Sequence, residues 1–415
     1  MNLLDSEDRR LRAAALPYVS CASVKKAWVC VWLSPIFKLF HQMRNSSFYI
    51  TKSIVYECLS HSPFRRCNFS SDSGDSQCLT KPRYKWAVYG KSATDNDPHK
   101  TSIILFPGQG SHFVGMGKNL VKLPKIRQMF QCANEILRTD ILRICLEGPA
   151  SKLSKTIHCQ PATFIISLAA LVKLREENDE LIRNCVVTAG FSLGEISALV
   201  FSGALTYEEG LHIIRVRAEA MQKACDEKAG AMVTVFLNPG SPLKLCIAAA
   251  INHCEVRHKI QNPCCKVANY LYPDCKVIAG NKEAIDFIED HAGQFGIRRT
   301  KRLPVDGAFH TPLMFSARKV IANSLDRMGN FRRPSIPVIS AVDVLPYRGT
   351  MNIKRKLAMQ VIRPVRWEQT MYALYDRPTD VPFPRTIEAG PGRQLGAMLR
   401  MVSRGAFDGY SSIDV

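Results

Sequence analysis

The chain has 415 residues, of which 46% are hydrophobic and 22% charged, a composition typical of a globular protein with two or three structural units. No window approaches the roughly 20 uninterrupted apolar residues of a membrane-spanning helix, so no integral membrane association is expected. The formal net charge of +20 favours a polyanionic partner, and composition alone leaves nucleic acid, an acidic protein and a phosphate-bearing substrate open.

The first hundred residues lack sustained periodicity and contain basic and Ser-rich patches, of which Arg65-Arg66 is one. We predict that residues 1–100 are a disordered leader rather than a domain. Mitochondrial presequences are basic, Ser-rich and poor in acids. The stretch that begins at Met43 has this composition, whereas the acids near residue 1 do not fit it. Initiation at Met43 is therefore a hypothesis, and a basic tail without a targeting role is the alternative.

Strand-like apolar runs and amphipathic helices alternate in residues 101–230 and again in residues 304–405. This alternation predicts a large domain of the α/β class with a parallel sheet. Residues 231–303 differ and predict a small inserted α+β domain. The predicted strands are 103–106, 185–189, 232–236, 266–270, 276–279, 337–340 and 385–388, and two of the predicted helices are 126–137 and 163–174.

The sequence Gly-Phe-Ser-Leu-Gly at 190–194 lies between the predicted strand 185–189 and a helical pattern. This is the context of a nucleophile elbow, where small residues let the chain turn sharply and expose the serine hydroxyl. Backbone N–H groups at such a helix N-terminus can receive an oxyanion, so Ser192 is a candidate nucleophile for acyl chemistry. The alternative is a Gly-rich turn in which Ser192 only caps the helix.

A serine hydroxyl is a weak nucleophile and needs a neutral imidazole nearby. The candidate base is His310, because Thr311 and Pro312 after it fit the N-cap and first positions of a helix. The positive end of that helix would keep the imidazole in its basic form. Taken alone, His310 also fits a structural or exposed loop residue.

A helix that starts with the capping box Thr206 and Glu209 carries Arg217 in the centre of its apolar stripe. Arg217 is the one charge on the side that should be buried, and a buried guanidinium needs an anionic partner. Two partners remain open: an internal Asp or Glu, and a substrate carboxylate gripped by the planar guanidinium.

Several motifs in one order resemble those of malonyl-CoA:acyl carrier protein transacylases. The resemblance spans about residues 101–400. It implies an α/β-hydrolase-like large domain with an inserted ferredoxin-like domain, and an S-malonyltransferase that supplies fatty acid synthesis. The motifs are Phe-Pro-Gly-Gln-Gly-Ser-His-Phe-Val-Gly-Met-Gly at 106–117, Gly-Phe-Ser-Leu-Gly-Glu-Ile-Ser-Ala at 190–198, Arg-Ala-Glu-Ala-Met-Gln at 217–222, Gly-Ala-Phe-His at 307–310, Pro-Val-Arg-Trp at 364–367 and Glu-Ala-Gly-Pro-Gly at 388–392.

The resemblance also implies a role for each site residue. Ser192 is acylated, and His310 acts as general base and then as general acid. The backbone amides of Gln109 and Leu193 form the oxyanion hole. Arg217 pairs with the malonyl carboxylate.

Gln360 occupies the position of a family glutamine that supports the histidine through its main-chain carbonyl. Two residues depart from the family pattern, since Phe191 replaces a frequent histidine and His112 replaces the second glutamine of the first motif. Neither change removes a catalytic group. Phe309 resembles a bulky residue that disfavours an α-methyl branch, so malonyl is expected over methylmalonyl.

The substrate and partners that the resemblance implies are malonyl-CoA and an acyl carrier protein. Coenzyme A enters as a thioester substrate and no further cofactor is implied. A mitochondrial leader would place the protein in the matrix. The basic run 298–302 could face the acidic carrier or the phosphates of coenzyme A, or be a solvated face. No metal site is expected, because the His/Cys cluster at 253–258 lacks partners at zinc-like spacing.

Two other functions fit parts of the sequence. A serine esterase or thioesterase would need an acid as third triad member, and Asp274 and Asp306 are available without a recognisable triad context. A basic scaffold or nucleic-acid binder with an inactive acyltransferase fold predicts decay at the serine, histidine or arginine. All three residues are intact and no nucleic-acid motif is present.

Overall fold

The computed structural model describes residues 98–305 and 307–415, and the predicted leader with its hypothetical start at Met43 lies outside the described residues. The strands within this part are β1 (Ser102–Phe106), β2 (Cys185–Gly190), β3 (Ala231–Leu237), β4 (Cys265–Tyr272), β5 (Cys275–Gly280), β6 (Ile297–Arg302), β7 (Val338–Ile339), β8 (Val365–Arg366), β9 (Arg385–Glu388) and β10 (Tyr410–Ser412). The α-helices are α1 (Pro124–Leu137), α2 (Ile141–Glu147), α3 (Ala150–Leu153), α4 (Thr156–Arg183), α5 (Gly194–Phe201), α6 (Tyr207–Glu227), α7 (Leu243–Arg257), α8 (Lys282–Asp290), α9 (Phe315–Arg327), α10 (Thr350–Gln360), α11 (Trp367–Tyr375), α12 (Gln394–Val402) and α13 (Arg404–Asp408).

A parallel sheet in the order β10-β9-β1-β2-β7 forms the centre of the fold. All five residues of β1 are buried, as expected for a central strand covered on both faces. Ile104 and Phe106 pack into the larger apolar core, which includes residues of α1, α4 and α6. Ile103 and Leu105 pack on the other side, against residues of α11 and α12. The prediction of an α/β fold with a parallel sheet is confirmed.

Helix α4 spans 28 residues, the longest of the described helices, and is kinked at Asn178, whose φ of −158° and ψ of 79° are not helical. It begins at Thr156, so the predicted start at 163 was wrong, and it continues through Pro161, which has no backbone N–H for the helix ladder. By length and composition it could cross a membrane, but 78% of its apolar window is buried inside the protein. Burial of this extent is typical of the core helix of a globular unit.

A second sheet has the order β6-β3-β5-β4-β8. The pairs among β3, β4, β5 and β6 are antiparallel, while β8 adds to β4 in parallel. Helices α7 and α8 supply Ala250 and Ile285 to its apolar core. The predicted strands 232–236, 266–270 and 276–279 lie in β3, β4 and β5. Strand β6 was missed, because its basic sequence has little apolar alternation.

A buried ion pair connects this second sheet to a helix that packs on the first. Lys276 of β5 donates to Glu368 of α11 over 2.6 Å, and both side chains are largely buried. The ammonium also donates to the carbonyl oxygens of Tyr272 and Pro273, each at 2.8 Å. Because Met371 and Leu374 of α11 pack in the core beside β1 and β2, the pair ties the two sheets together.

Candidate active site

The turn that carries Ser192 is shaped by two glycines. Phe106 of β1 pairs with Gly190 of β2, so both strands end beside the turn. A Cβ atom on Gly190 would lie 1.9 Å from the carbonyl carbon of Gly194, and one on Gly194 would lie 2.2 Å from the oxygen of Phe106. Ser192 has φ 55°, a left-handed conformation that is rare for residues other than glycine. The predicted elbow is confirmed as a strained strand-to-helix turn.

Ser192 and His310 are in direct contact. The distance between Ser192 Oγ and His310 Nε2 is 2.9 Å, and His310 Nδ1 lies 2.9 Å from the main-chain oxygen of Gln360. A carbonyl oxygen only accepts, so Nδ1 carries the proton and Nε2 is the acceptor for the serine hydroxyl. Thr311 accepts a hydrogen bond from Leu313 N at the start of a short 3-10 turn, which confirms the predicted N-cap.

Burial, and to a smaller extent the nearby charge of Arg217, lower the pKa of His310 to about 4. The hydrogen bond to Gln360 opposes this shift. The sequence predicted a neutral ring from the helix terminus alone, whereas burial and a neighbouring cation are the main causes. The imidazole is therefore a neutral acceptor at physiological pH.

Arg217 is buried, as its place in the apolar stripe of α6 predicted. Its Nη1 donates to Gln160 Oε1 over 2.7 Å, and its Nη2 donates to Ser192 Oγ over 2.9 Å and to Gln360 Oε1 over 3.1 Å. Its Nε has no hydrogen-bond partner within the described part of the chain. Burial lowers the pKa of the guanidinium to about 10, and the charge of Glu195 opposes that shift. These partners are neutral, so an internal acid does not bind the guanidinium directly in the described structure.

Three polar residues of the site were not singled out from the sequence. Gln160 and Glu195 are fully buried, and Tyr347 donates to Glu195 over 2.6 Å. Burial raises the pKa of Glu195 to about 7, and hydrogen bonds from Tyr347 and Gln360 oppose the shift. The available signal for Glu195 was its position as the one charged residue of the otherwise largely apolar helix α5, whereas α4 has polar residues on either side of Gln160 and gave no such signal.

A cavity lies in front of Ser192 and His310. Phe309 and Phe191 contribute to its wall, and Phe191 packs edge-on against Trp367 with ring centroids 5.4 Å apart. Leu193 is buried directly after the nucleophile. The full lining consists of Gln109, Gln160, Phe191, Ser192, Arg217, Met221, Met232, Asn269, Leu303, Val305, Phe309 and His310.

His112, the second departure from the family motifs, contacts a different helix. Its Nδ1 lies 2.9 Å from Cys159 Sγ and its Nε2 lies 3.3 Å from Ser154 Oγ. Burial lowers the pKa of the ring. The side chain is therefore engaged with α4 and the turn before it.

The geometry around His310 does not form the triad of a serine esterase. The atom facing Nδ1 is a backbone carbonyl, where a triad would place a carboxylate. Asp274 lies in the turn between β4 and β5, and Asp306 lies outside the described residues. Among the residues that the structure describes, no group of three His, Cys, Asp or Glu side chains could hold a metal ion.

The basic run 298–302 lies on β6. Arg302 Nη1 forms ion pairs with Asp286 at 2.6 Å and Glu289 at 2.5 Å. The guanidinium of Arg299 lies 4.1 Å from the ring centroid of Phe236. At least two members of the run therefore have partners within the protein.

The sequence between residues 103 and 382 matches the acyl transferase domain. The chain belongs to the acyl transferase family. It is 49% identical over 307 residues to a probable mitochondrial malonyl-CoA-acyl carrier protein transacylase of Drosophila melanogaster, covering 74% of this chain and 80% of the relative. The mitochondrial malonyl-CoA-acyl carrier protein transacylase of Homo sapiens is 44% identical over 318 residues, which cover 77% of this chain and 81% of that relative.

Solved structures of acyl transferases resemble this fold. The malonyl CoA-acyl carrier protein transacylase of Coxiella burnetii is 27% identical and superposes with a TM-score of 0.68. The similarity covers 77% of this chain and 96% of that one. The acyl transferase fold thus accounts for nearly all of the described residues.

Proposed function

We propose that this acyl transferase moves the malonyl group of malonyl-CoA to the phosphopantetheine thiol of an acyl carrier protein, through a malonyl ester of Ser192. The observation that carries the proposal is the position of one atom. Ser192 Oγ lies 2.9 Å from a neutral imidazole nitrogen of His310 and 2.9 Å from the guanidinium of Arg217. A nucleophile, its base and a cation for a carboxylate therefore meet in one cavity.

In the first half-reaction Ser192 Oγ attacks the thioester carbonyl while its proton passes to His310 Nε2. The backbone N–H groups of Gln109 and Leu193 stabilise the oxyanion that forms. As the intermediate collapses, the C–S bond breaks and His310 returns the proton to the sulfur of coenzyme A. The thioester is already activated, so the carbonyl of Gln360 suffices to hold the imidazole and no third acid is needed.

In the second half-reaction the carrier thiol takes the place of coenzyme A. His310 Nε2 removes the thiol proton, and the sulfur attacks the malonyl ester. The acyl C–O bond breaks and Ser192 recovers its proton from His310. The apolar residues Met221, Met232 and Leu303 beside the serine disfavour water as a competing nucleophile.

Selectivity for malonyl resides in Arg217 and Phe309. In the described structure the guanidinium donates to neutral oxygens, and an entering carboxylate is a stronger acceptor than any of them. Arg217 then leaves Ser192 Oγ free to attack. Phe309 lines the same cavity, where it leaves less room for an α-methyl branch.

The partners, location and domain organisation follow from this activity and from the relatives. We infer malonyl-CoA and acyl carrier protein as partners, with the coenzyme A thioester as substrate and no further cofactor. The relatives from Drosophila melanogaster and Homo sapiens are named as mitochondrial, which supports a mitochondrial location. We place the protein in the matrix, together with the acyl carrier protein of fatty acid synthesis.

The order β3-α7-β4-β5-α8-β6 supports residues 231–303 as an inserted ferredoxin-like domain.

Intact-protein mass spectrometry tests the activity. The full-length protein is mixed with malonyl-CoA beside a Ser192→Ala control and is then chased with holo acyl carrier protein. We expect one malonyl adduct that is missing from the control and passes to the carrier. An adduct lost only to water would make the protein a thioesterase, and a protein without an adduct would favour the scaffold function.

A further inference from the structure

Glu195 lies behind the cavity, three residues after Ser192 in the first turn of α5, and is fully buried. Its carboxylate accepts hydrogen bonds from Gln360 Nε2 and from the Tyr347 hydroxyl, both at 2.6 Å. Ser340 and the backbone N–H of Ala341 add further hydrogen bonds. The acyl-transfer steps give this carboxylate no part, although a buried acid is costly to retain.

Gln360 connects Glu195 to every reacting group of the site. Its main-chain oxygen accepts from His310 Nδ1 at 2.9 Å. Its side-chain Oε1 accepts from Arg217 Nη2 at 3.1 Å, and its Nε2 also donates to the main-chain oxygen of Ser192 at 2.8 Å. A change in the position of Gln360 would therefore reach the base, the cation and the nucleophile together.

The carboxylate of Glu195 is one of three groups that fix which way the Gln360 amide faces, beside the guanidinium of Arg217 and the main-chain oxygen of Ser192. A side-chain amide can present its NH2 or its oxygen to a neighbour, whereas an ionised carboxylate only accepts. The NH2 group faces Glu195 and the main-chain oxygen of Ser192, and Oε1 faces Arg217. The contact with Glu195 is the shortest of the three made by this amide, so Glu195 supplies an acceptor oxygen within close reach of the NH2 group.

We propose that Glu195 is a positioning residue for acyl transfer, because its carboxylate holds the Gln360 amide with Oε1 toward Arg217 and so aligns the guanidinium for the malonyl carboxylate. This inference rests on the proposed function, which assigns that carboxylate to Arg217. The effect is one of reach rather than of charge. A side chain of the same length with an acceptor oxygen should replace Glu195, and a shorter acid should not.

A matched pair of variants separates reach from charge. Glu195→Asp keeps the charge but withdraws the carboxylate by one methylene, and Glu195→Gln keeps the length but removes the charge. The measurement is the ratio of kcat/KM for malonyl-CoA to that for acetyl-CoA, because acetyl has no carboxylate for Arg217. Misplacement by about 1 Å can cost up to a hundredfold in rate, so we expect Glu195→Asp to lower the ratio about tenfold, through KM for malonyl-CoA. In Glu195→Gln the same ratio should stay within about twofold of the wild-type value.

Glu388 provides the control for a purely structural effect. It is also fully buried and accepts from Tyr410 at 2.7 Å and from Gly396 N at 3.0 Å, at the end of β9. Glu388→Asp should lower the free energy of unfolding and leave the malonyl-to-acetyl ratio unchanged. If Glu195→Asp does not fold, Gln360→Met removes the amide that Glu195 orients and should lower the ratio in the same way.

The outcomes separate this inference from the activity on which it rests. The positioning role is supported if the malonyl-to-acetyl ratio falls in Glu195→Asp, or in Gln360→Met in its place, and if Glu195→Gln keeps the wild-type ratio. An unchanged ratio in Glu195→Asp or Gln360→Met overturns the positioning role, and so does a loss in Glu195→Gln as large as that in Glu195→Asp. In either case, normal malonyl loading of the wild type leaves the proposed function intact. A wild-type protein that takes no malonyl group overturns both.

Discussion

Arg217 donates a hydrogen bond to Ser192 Oγ over 2.9 Å, while the same oxygen donates to the imidazole of His310. The serine oxygen thus accepts from a cation and donates to a base before substrate arrives. Because the guanidinium occupies a lone pair of the serine oxygen, it has to release Ser192 before that oxygen can attack a thioester. The arrangement also means that Arg217 changes partners when a carboxylate enters the cavity.

Arg217→Ala should lower malonyl loading far more than acetyl loading. A hydrogen bond to a charged group contributes about 1.5 to 3 kcal/mol, so kcat/KM for malonyl-CoA should fall about 10- to 100-fold relative to acetyl-CoA. Adduct formation on Ser192 with each thioester measures this ratio. Arg215→Ala serves as the control, because Arg215 of the same helix donates to the Ile136 carbonyl outside the cavity. An unchanged ratio in Arg217→Ala would remove Arg217 from the malonyl site.

The stability of the protein should depend on the protonation of His310. Its pKa is about 4 in the folded protein and 6.5 when unperturbed, so the unfolded chain binds the proton more readily. The stability that the neutral ring contributes is complete above pH 6.5 and is lost as the pH falls toward 4. His310→Gln should therefore lose less stability than the wild type between pH 7 and pH 5, as measured by urea unfolding.

Glu195 opposes the loss of stability at falling pH, both in the wild type and in His310→Gln. Its pKa is raised from 4.5 to about 7, so the folded state binds the proton more readily and gains stability as the pH falls through this range. The comparison between wild type and His310→Gln cancels this contribution. Equal losses in the two proteins would show that His310 does not titrate differently on folding.

Much of the site could be predicted because its residues lie in strongly constrained local patterns. Ser192 lies between two glycines at a strand end, and Arg217 is the one charge in an apolar stripe. These signals are local, so one sequence suffices to place them. The contact between His310 and Ser192 spans 118 residues and was expected only through the family motifs.

What could not be predicted depends on contacts between distant segments. Glu195 and Tyr347 meet across 152 residues; Glu195 belongs to the motif at 190–198, but nothing in that motif indicates that Tyr347 is its partner. Strand β6 was missed because an edge strand need not alternate apolar and polar residues when solvent covers much of it. The start of α4 was set too late, since Pro161 is tolerated inside a helix that is buried for most of its length.

Gly190→Ala should destabilise the elbow. Its Cβ would meet backbone atoms of Gly194 and Glu195 at 2.2 Å or less, and backbone cannot move aside as a side chain can. Overpacking of this kind costs about 3 kcal/mol or more, so urea unfolding should show a large loss or no folded protein. Gly293→Ala is the matched control, because no heavy atom lies within 4 Å of its added Cβ. Equal stabilities of the two variants would contradict the close approach at the elbow.

Lys276→Met should weaken the connection between the two sheets. It leaves Glu368 buried without the ammonium 2.6 Å away and frees the carbonyls of Tyr272 and Pro273. Breaking a buried pair by removing one partner typically costs about 3 to 5 kcal/mol in the free energy of unfolding. The same measurement on Arg143→Met, which breaks the exposed pair with Glu147, should show little change.

The double variant Lys276→Met with Glu368→Met distinguishes an unpaired charge from lost packing. Replacing both partners with apolar side chains removes the buried charge, so most of the stability lost in the single variant should return. Because Asn269 of β4 lines the cavity and β4 pairs with β5, the single variant should also slow malonyl loading. If the double variant is no more stable than Lys276→Met, the loss arises from packing around the lysine stem, and the ion pair does not hold the sheets together.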